Sequence, residues 1–348
     1  MTTYYLDPGH ASSVEDGSID HPFATVTQVI GNDGPIFSDV DGVQTASDDY
    51  LTLCTNTDDV ALGTTSTLNE DADLNGHTVE FRNANAEAYF VTTTSSFAVL
   101  FAHRTPRITK ITGWHFNNTY LGTNSNARTF LFEDSNIGRL EFESCLISSG
   151  GGAFVITIAT SASSSQFIFN NCIFRGLHAP GDLENTGPVG MSCRTGTWEF
   201  NNCTIIDLPR SRKHSAGTVH LRNTYMGRPS FGDVWYEPDV NHEQPETVVT
   251  SSVSDESITT TGIVQNVSVA DCNFEDATIG SQDIRTTAGS ALHDAGTNIG
   301  PAGTEAVDYT DDHYGTPRGS TWDIGAFEYV DLSLPLPRLF YGKPQPMS

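Results

Sequence analysis

The chain has 348 residues, 17 of them Lys or Arg and 43 Asp or Glu, for a net charge of −26. So acidic a body repels a phosphate backbone, which excludes nucleic acid as a partner. No apolar run approaches the roughly 18 residues needed to cross a bilayer, so no membrane insertion is expected, and the length suits one elongated domain.

The charge is unevenly spread. Residues 1–100 carry a net −15, residues 101–228 a net +4 and residues 229–348 a net −15. A recognition site for an acidic ligand therefore belongs in the middle block.

The opening, MTTYYLDPGH, lacks the basic and apolar regions of a signal peptide. Taken alone, it points to a protein kept in the cytoplasm, or released by lysis or by a dedicated machine. His21-Pro22 then opens a short amphipathic segment, with Phe23, Val26, Val29 and Ile30 on one face at helical spacing. A helix there would cover the unpaired edge of a β stack. Asp39-Val40-Asp41-Gly42 has the start of a calcium loop, but the remaining ligands are missing, so no metal site is expected.

A repeated phrase dominates the chain from Val79 to Phe274. A weak copy, VEFRNANA from Val79, precedes WHFNNTYL from Trp114, LEFESCLI from Leu140 and FIFNNCIF from Phe167. WEFNNCTI from Trp198, VHLRNTYM from Val219 and VSVADCNF from Val267 complete the series. The copies align on Phe116, Phe142, Phe169, Phe200, Leu221 and Val269, at spacings of 26, 27, 31, 21 and 48 residues. A period in the twenties implies stacked coils of one supersecondary unit. Large residues alternate as in a strand buried on one face, and the alternation slips by one at Asn118, Ser144, Asn171, Asn202, Asn223 or Asp271. A slip flips every later side chain unless the chain bends there, and Asn and Asp tolerate the left-handed angles of such a bend. The expected fold is all-β, a single-stranded right-handed parallel β-helix whose like residues stack about 4.8 Å apart.

Four of the six cysteines (Cys145, Cys172, Cys203 and Cys272) fall in the column after the bend, as small apolar fillers rather than bridged or metal-binding groups. Between Leu208 and Glu243 the rhythm is crowded by Arg210, Arg212, Lys213, His214, Arg222, Arg228, Trp235, Tyr236 and His242. Cations pair with sugar acids and aromatic rings stack on sugar faces, so this belt is a candidate carbohydrate site. It also reads as an exposed turn with a loop core, or as a contact with an acidic neighbouring subunit.

The C-terminal part reads AGSALHDAGTNIG and then TDDHYGTPRGSTWDIGAFEY. With the opening segment, it resembles the pectin-lyase-like superfamily of right-handed parallel β-helix proteins, as found in bacterial surface proteins and phage spike or decoration proteins. Ser290, Asp294, Gly296, Gly315, Pro317, Arg318, Asp323, Gly325, Ala326 and Glu328 carry that resemblance, and Ala291-Leu292-His293 departs from it. The resemblance implies that these are terminal coils. Arg318, Asp323 and Glu328 read as structural holders of the last coil, with a catalytic role as the other reading. The final stretch, DLSLPLPRLFYGKPQPMS, is stiffened by proline, and Leu336, Leu339, Phe340 and Tyr341 are too apolar for a freely solvated tail. The expected organisation is an opening and cap segment at 1–60, the β-helix at 61–330 and an extended arm at 331–348.

The outward acids Glu141, Glu143 and Glu199 form no recognisable acid/base pair, and no catalytic residue or cofactor emerges. The best expectation is a phage-like virion surface protein (spike, fibre or capsid decoration). It would be a homo-oligomer, a trimer foremost, contacting other virion proteins through the arm and host-surface polysaccharide through the belt. The other reading is a polysaccharide lyase or glycoside hydrolase acting on acidic polysaccharide, in an extracellular setting.

Overall fold

The structure, a computed structural model, describes residues 1–7, 10, 14–25, 28–29, 34–40, 43–54, 60–62, 72–73, 77–83, 89–92, 101–102, 109–118, 128–132, 138–149, 154–158, 165–176, 191–207, 211–227, 247–250, 252–254, 263–264, 267–278, 282–299 and 311–330. It is a right-handed parallel β-helix with three faces. The first face stacks Thr2–Leu6, Tyr50–Cys54, Val79–Asn83, Lys110–Thr112, Arg139–Glu143 and Gln166–Asn170, then the later halves of Met191–Asn201 and Ser211–Arg222, then Thr247–Thr250. The second face runs from Val60–Leu62 through His115–Asn118, Leu146–Ser149, Ile173–Gly176, Thr204–Ile206 and Tyr225–Gly227 to Ile263–Val264. The third face stacks Phe101–Ala102, Arg128–Phe132 and Phe154–Ile158 on the earlier halves of the two long strands. Gly196 (φ 76°) faces Gly217 where those long strands turn the corner from the third face to the first.

In-register parallel pairing puts like on like. Phe142 stacks on Phe169 with ring centroids 4.8 Å apart, and Phe169 on Phe200 at 5.1 Å, all fully buried. Beside them Phe167 stacks on Trp198 at 4.6 Å. Ser144, Asn171, Asn202 and Asn223 all have positive φ, 48–53°, and form the bend between the first and second faces, as the slip in the pattern requires. The next column is a ladder of donors. Cys145, Cys172 and Cys203 point their thiols at the carbonyls of Ile111, Phe142 and Phe169 one coil back, and the Thr224 hydroxyl donates to Phe200 at 2.9 Å. That shared task explains why Cys and Thr alternate there. The three thiols are unbridged, and burial pushes those of Cys145 and Cys172 up.

Two copies of the repeat sit differently from expectation. Ile111 pairs with Phe142 and Phe116 with Ile147, so the unit is Ile111-Thr112-Gly113-Trp114 and WHFNNTYL straddles the bend. Gly113 (φ 72°) takes the bend position, and the Trp114 indole takes the donor column, reaching the carbonyl of Phe81 at 3.2 Å. A tryptophan in the role of a cysteine hid the register. The last copy, from Val267, is no coil. Ser268 and Asp271 cap each other reciprocally, so Val269–Cys272 winds into one helical turn, ended by Asn273 at φ 48°. Cys272 is therefore absent from the thiol column.

At the other end, Phe23 donates to the carbonyl of Tyr5 and Asp7 donates to that of Phe23, covering the edge of the first strand. Thr25 and Gln28 bond each other's backbone N–H, a capping box for the turn in which Gln28 and Val29 are helical. Val26 and Ile30 lie outside the described residues.

The C-terminal motif does not continue the stack. The described residues 267–278, 282–299 and 311–329 lie along the outer side of the second face, where Val269, Cys272, Ile284, Leu292, Ile324, Ala326 and Phe327 share a second core with Ile173, Ile206 and Tyr225. The coils thus have an inner core and, on one flank, an outer one. Replacing Phe200 with Ala removes the centre of the inner stack, and should cost about 3–5 kcal/mol in equilibrium denaturant unfolding.

Candidate functional site

The outward side of the first face carries a ladder of charge. Glu80 accepts two bonds from Arg82, both at 2.8 Å, and one from the Thr112 hydroxyl at 2.9 Å. Lys110 lies one coil on, paired with Glu143 and 3.8 Å from Glu141. Glu141 also accepts from Arg139 at 3.4 Å and from Asn170 at 3.0 Å. Asn201 donates to Asn170, and Arg222 closes the row on Asn201 at 3.0 Å and Glu199 at 2.7 Å. Glu80 and Glu141 are nearly inaccessible, at 5% and 7% exposure. Burial alone would lower the Lys110 ammonium, but the carboxylates of Glu143, Glu141 and Glu80 prevail and raise it. These acids are committed to cations of the same face, so none stands ready as a general base.

A second polar cluster lies where the C-terminal segment meets the bends. The buried Arg318 guanidinium donates to the Asn171 side chain at 3.0 Å, to the carbonyls of Asp323 and Gly325, and to Glu328. Asp323 accepts the backbone N–H groups of Asp294 and Tyr329 at 2.7 and 2.6 Å. Burial pushes the carboxyls of Asp323 and Glu328 up, the latter to about 7 despite Arg318. Arg318, Asp323 and Glu328 therefore hold structure together, as expected, but they anchor a lateral segment rather than a last coil. Nearby, His313 bonds the Asn171 carbonyl through Nδ1 at 2.8 Å and stacks on His115 at 6.5 Å. Burial lowers both imidazoles to about 4.

The expected belt is only partly described. Ser211–Arg222 is a strand, which rules out an exposed turn there: Arg212 pairs with Ser192 and Lys213 with Cys193 on the third face. His214 falls at the register irregularity between Cys193 and Thr195, where the strand carries an extra residue. Arg222 belongs to the first-face ladder. Arg210, Arg228, Trp235, Tyr236 and His242, and the arm with Leu336, Leu339, Phe340 and Tyr341, lie outside the described residues.

Asp39 and Val40 belong to the antiparallel pair Phe37–Val40 and Val43–Ala46, and Asp41 and Gly42 lie outside the described residues. Among the described residues, one group offers cation ligands: atoms of His293, Asp294 and Asp323 lie within 4.8 Å of one another. Both oxygens of Asp323 are already engaged by backbone N–H groups, so the group fits a structural knot better than a metal site. Sequence reasoning placed Glu141, Glu143 and Glu199 outward but missed Lys110 as the cross-coil partner of Glu141 and Glu143, because the neighbouring register was read one face too late. Nothing local in Asp312-His313-Tyr314 signals that His313 faces His115.

No protein-family model and no curated protein matches the chain. Among solved structures it is similar to the crystal structure of pectate lyase Pel9A, at 14% identity and a TM-score of 0.38, over 94% of this chain and 96% of that one.

Lys110 is half-screened, between the roughly 0–1 kcal/mol of a surface pair and the 3–5 of a broken buried one. Lys110→Met should therefore destabilise the protein by about 2 kcal/mol in denaturant unfolding. Lys110→Met with Glu143→Gln should cost less than the two single changes together, by about 1 kcal/mol in a double-mutant cycle.

Proposed function

We propose that this protein is a non-catalytic β-helix shaft displayed on a surface, in the manner of a phage virion spike, fibre or decoration protein, with acidic glycan as the contacted ligand. The observation that carries the reading is the compensated first face. Glu80, Glu141, Glu143 and Glu199 each have a cationic partner there, which suits a rigid display surface and leaves none of these four carboxylates free to act on a substrate. Glycan contact falls to the basic residues at Arg212 and Lys213 on the third face, outside that ladder. Assembly as a trimer, and attachment to other virion proteins, is assigned to the arm, whose Leu336, Leu339, Phe340 and Tyr341 gain about 1.5–3 kcal/mol each when well buried by a partner.

Pectate, alginate or capsular polysaccharide incubated with the protein, with and without Ca²⁺, should yield neither unsaturated uronates nor new reducing ends. Either product establishes the polysaccharide lyase or glycoside hydrolase reading instead. Assembly is tested separately, by mass in solution: the full chain should run as a trimer and a version ending at Tyr329 as a monomer. Equal assembly of the two would remove the arm as the attachment element.

A further inference from the structure

We propose that the contact between His115 on the second face and His313 on the C-terminal segment is an acid-sensitive latch: protonating it lifts residues 311–329 off coils that stay stacked. The two rings face each other across the junction, with centroids 6.5 Å apart and planes within 24° of parallel. His313 is closed in by Phe327 at 5.3 Å and Tyr314 at 5.2 Å, both edge-on. Its Nδ1 is spent on the Asn171 carbonyl, which the bend directs away from the sheet ladder. A second proton must therefore go to the other nitrogen, inside a box of rings, and charging both imidazoles sets two cations against each other.

The charged neighbours do not relieve that strain. From the coils the nearest is Arg175, itself a cation, bonded to Ser148 and to the carbonyl of Gln282. From the C-terminal segment, Arg318 sits on the side chain of the same Asn171. The Asp312 carboxylate is occupied by the N–H groups of Tyr314, Thr316 and Glu328. Asp311 accepts from Asn171 and Arg318 through its carbonyl.

Acidification has a definite sign here. Both imidazoles are held below the ordinary histidine value, so the unfolded or undocked form binds protons first. Docking is lost as pH falls from about 6.5 through about 4. Glu328 pulls the other way, because a carboxyl raised to about 7 favours the docked form as pH falls. Asp323 is raised as well, so acid release of this segment belongs to the histidines. Release removes Ile324, Ala326 and Phe327 from the cluster they share with Ile173 and Ile206, and leaves an apolar strip on the second face.

Hydrogen exchange of the full chain, corrected for intrinsic rates, tests this. Between about pH 6 and pH 4, protection of residues 311–329 should fall at least ten-fold while Arg139–Glu143 and Gln166–Asn170 stay protected. In His115→Phe/His313→Phe, which keeps the rings and removes the protons, the acid loss should vanish; in Glu328→Gln it should remain. Loss at the same pH in the double variant, abolition by Glu328→Gln, or simultaneous loss in coils and segment would each overturn the latch. Should the double variant never dock, the wild-type imidazole resonances decide. Both rings staying neutral until the segment releases supports the latch, and titration near about 6.5 with the segment still docked refutes it.

Discussion

Parallel pairing in register, repeated from coil to coil, is the constraint on which every other feature of this molecule depends. Each side chain has neighbours of the same column about 4.8 Å above and below, and little else within reach. An inward column must then consist of shapes that stack, as Phe142, Phe169 and Phe200 do at 4.8 and 5.1 Å. A column at the bend must consist of residues that tolerate left-handed angles, and a column beside the bend must donate to the carbonyl one coil back. An outward charged column must alternate in sign, because two like charges about 4 Å apart repel by roughly 1 kcal/mol in water and about 4 near a protein surface. Glu80, Lys110 and Glu141 obey that rule, with Arg82 and Arg139 as side supports.

The bend column serves twice. Left-handed geometry frees the carbonyls and side chains of Asn171 and Asn223 from the sheet, and the C-terminal segment uses them as a rail. Asn171 donates to the Asp311 carbonyl and receives Arg318, while its own carbonyl holds His313. Asn223 exchanges bonds with Thr297 in both directions, and its carbonyl receives the N–H of Gly325. Residues that shape the coil therefore also join positions more than a hundred apart in sequence. The close approach leaves no room for a side chain at Gly296, where a Cβ would lie 2.7 Å from the Trp322 carbonyl.

This double use explains what the sequence showed and what it concealed. The Phe, Asn and Cys columns from Leu140 to Met226 were legible because each column repeats one residue type for one reason. Trp114 was not, since its indole meets the same donor requirement as Cys145 with a different side chain. The unit from Val267 misled for the opposite reason: it has the letters of a coil, but the Ser268–Asp271 capping box decides the local structure first. The lateral docking of the C-terminal segment left no periodic trace, because it depends on individual pairings such as Gln282 with Gly176 and Asp207. Of the proposed binding belt, only the strand positions of Arg212, Lys213 and His214 follow from the register.

Charge compensation on the first face also bears on how an acidic glycan would be recognised. A sugar carboxylate approaching Lys110 must compete with Glu143, already paired with it, and with Glu141 at 3.8 Å. Displacing that half-screened pair costs about 2 kcal/mol, against roughly 1.5–3 kcal/mol for a charge-assisted hydrogen bond gained. Binding there gains little. Arg222 is bound in the same way to Glu199 and Asn201. In the reading proposed above, affinity for an acidic ligand is therefore assigned to cations outside the ladder, such as Arg212 and Lys213.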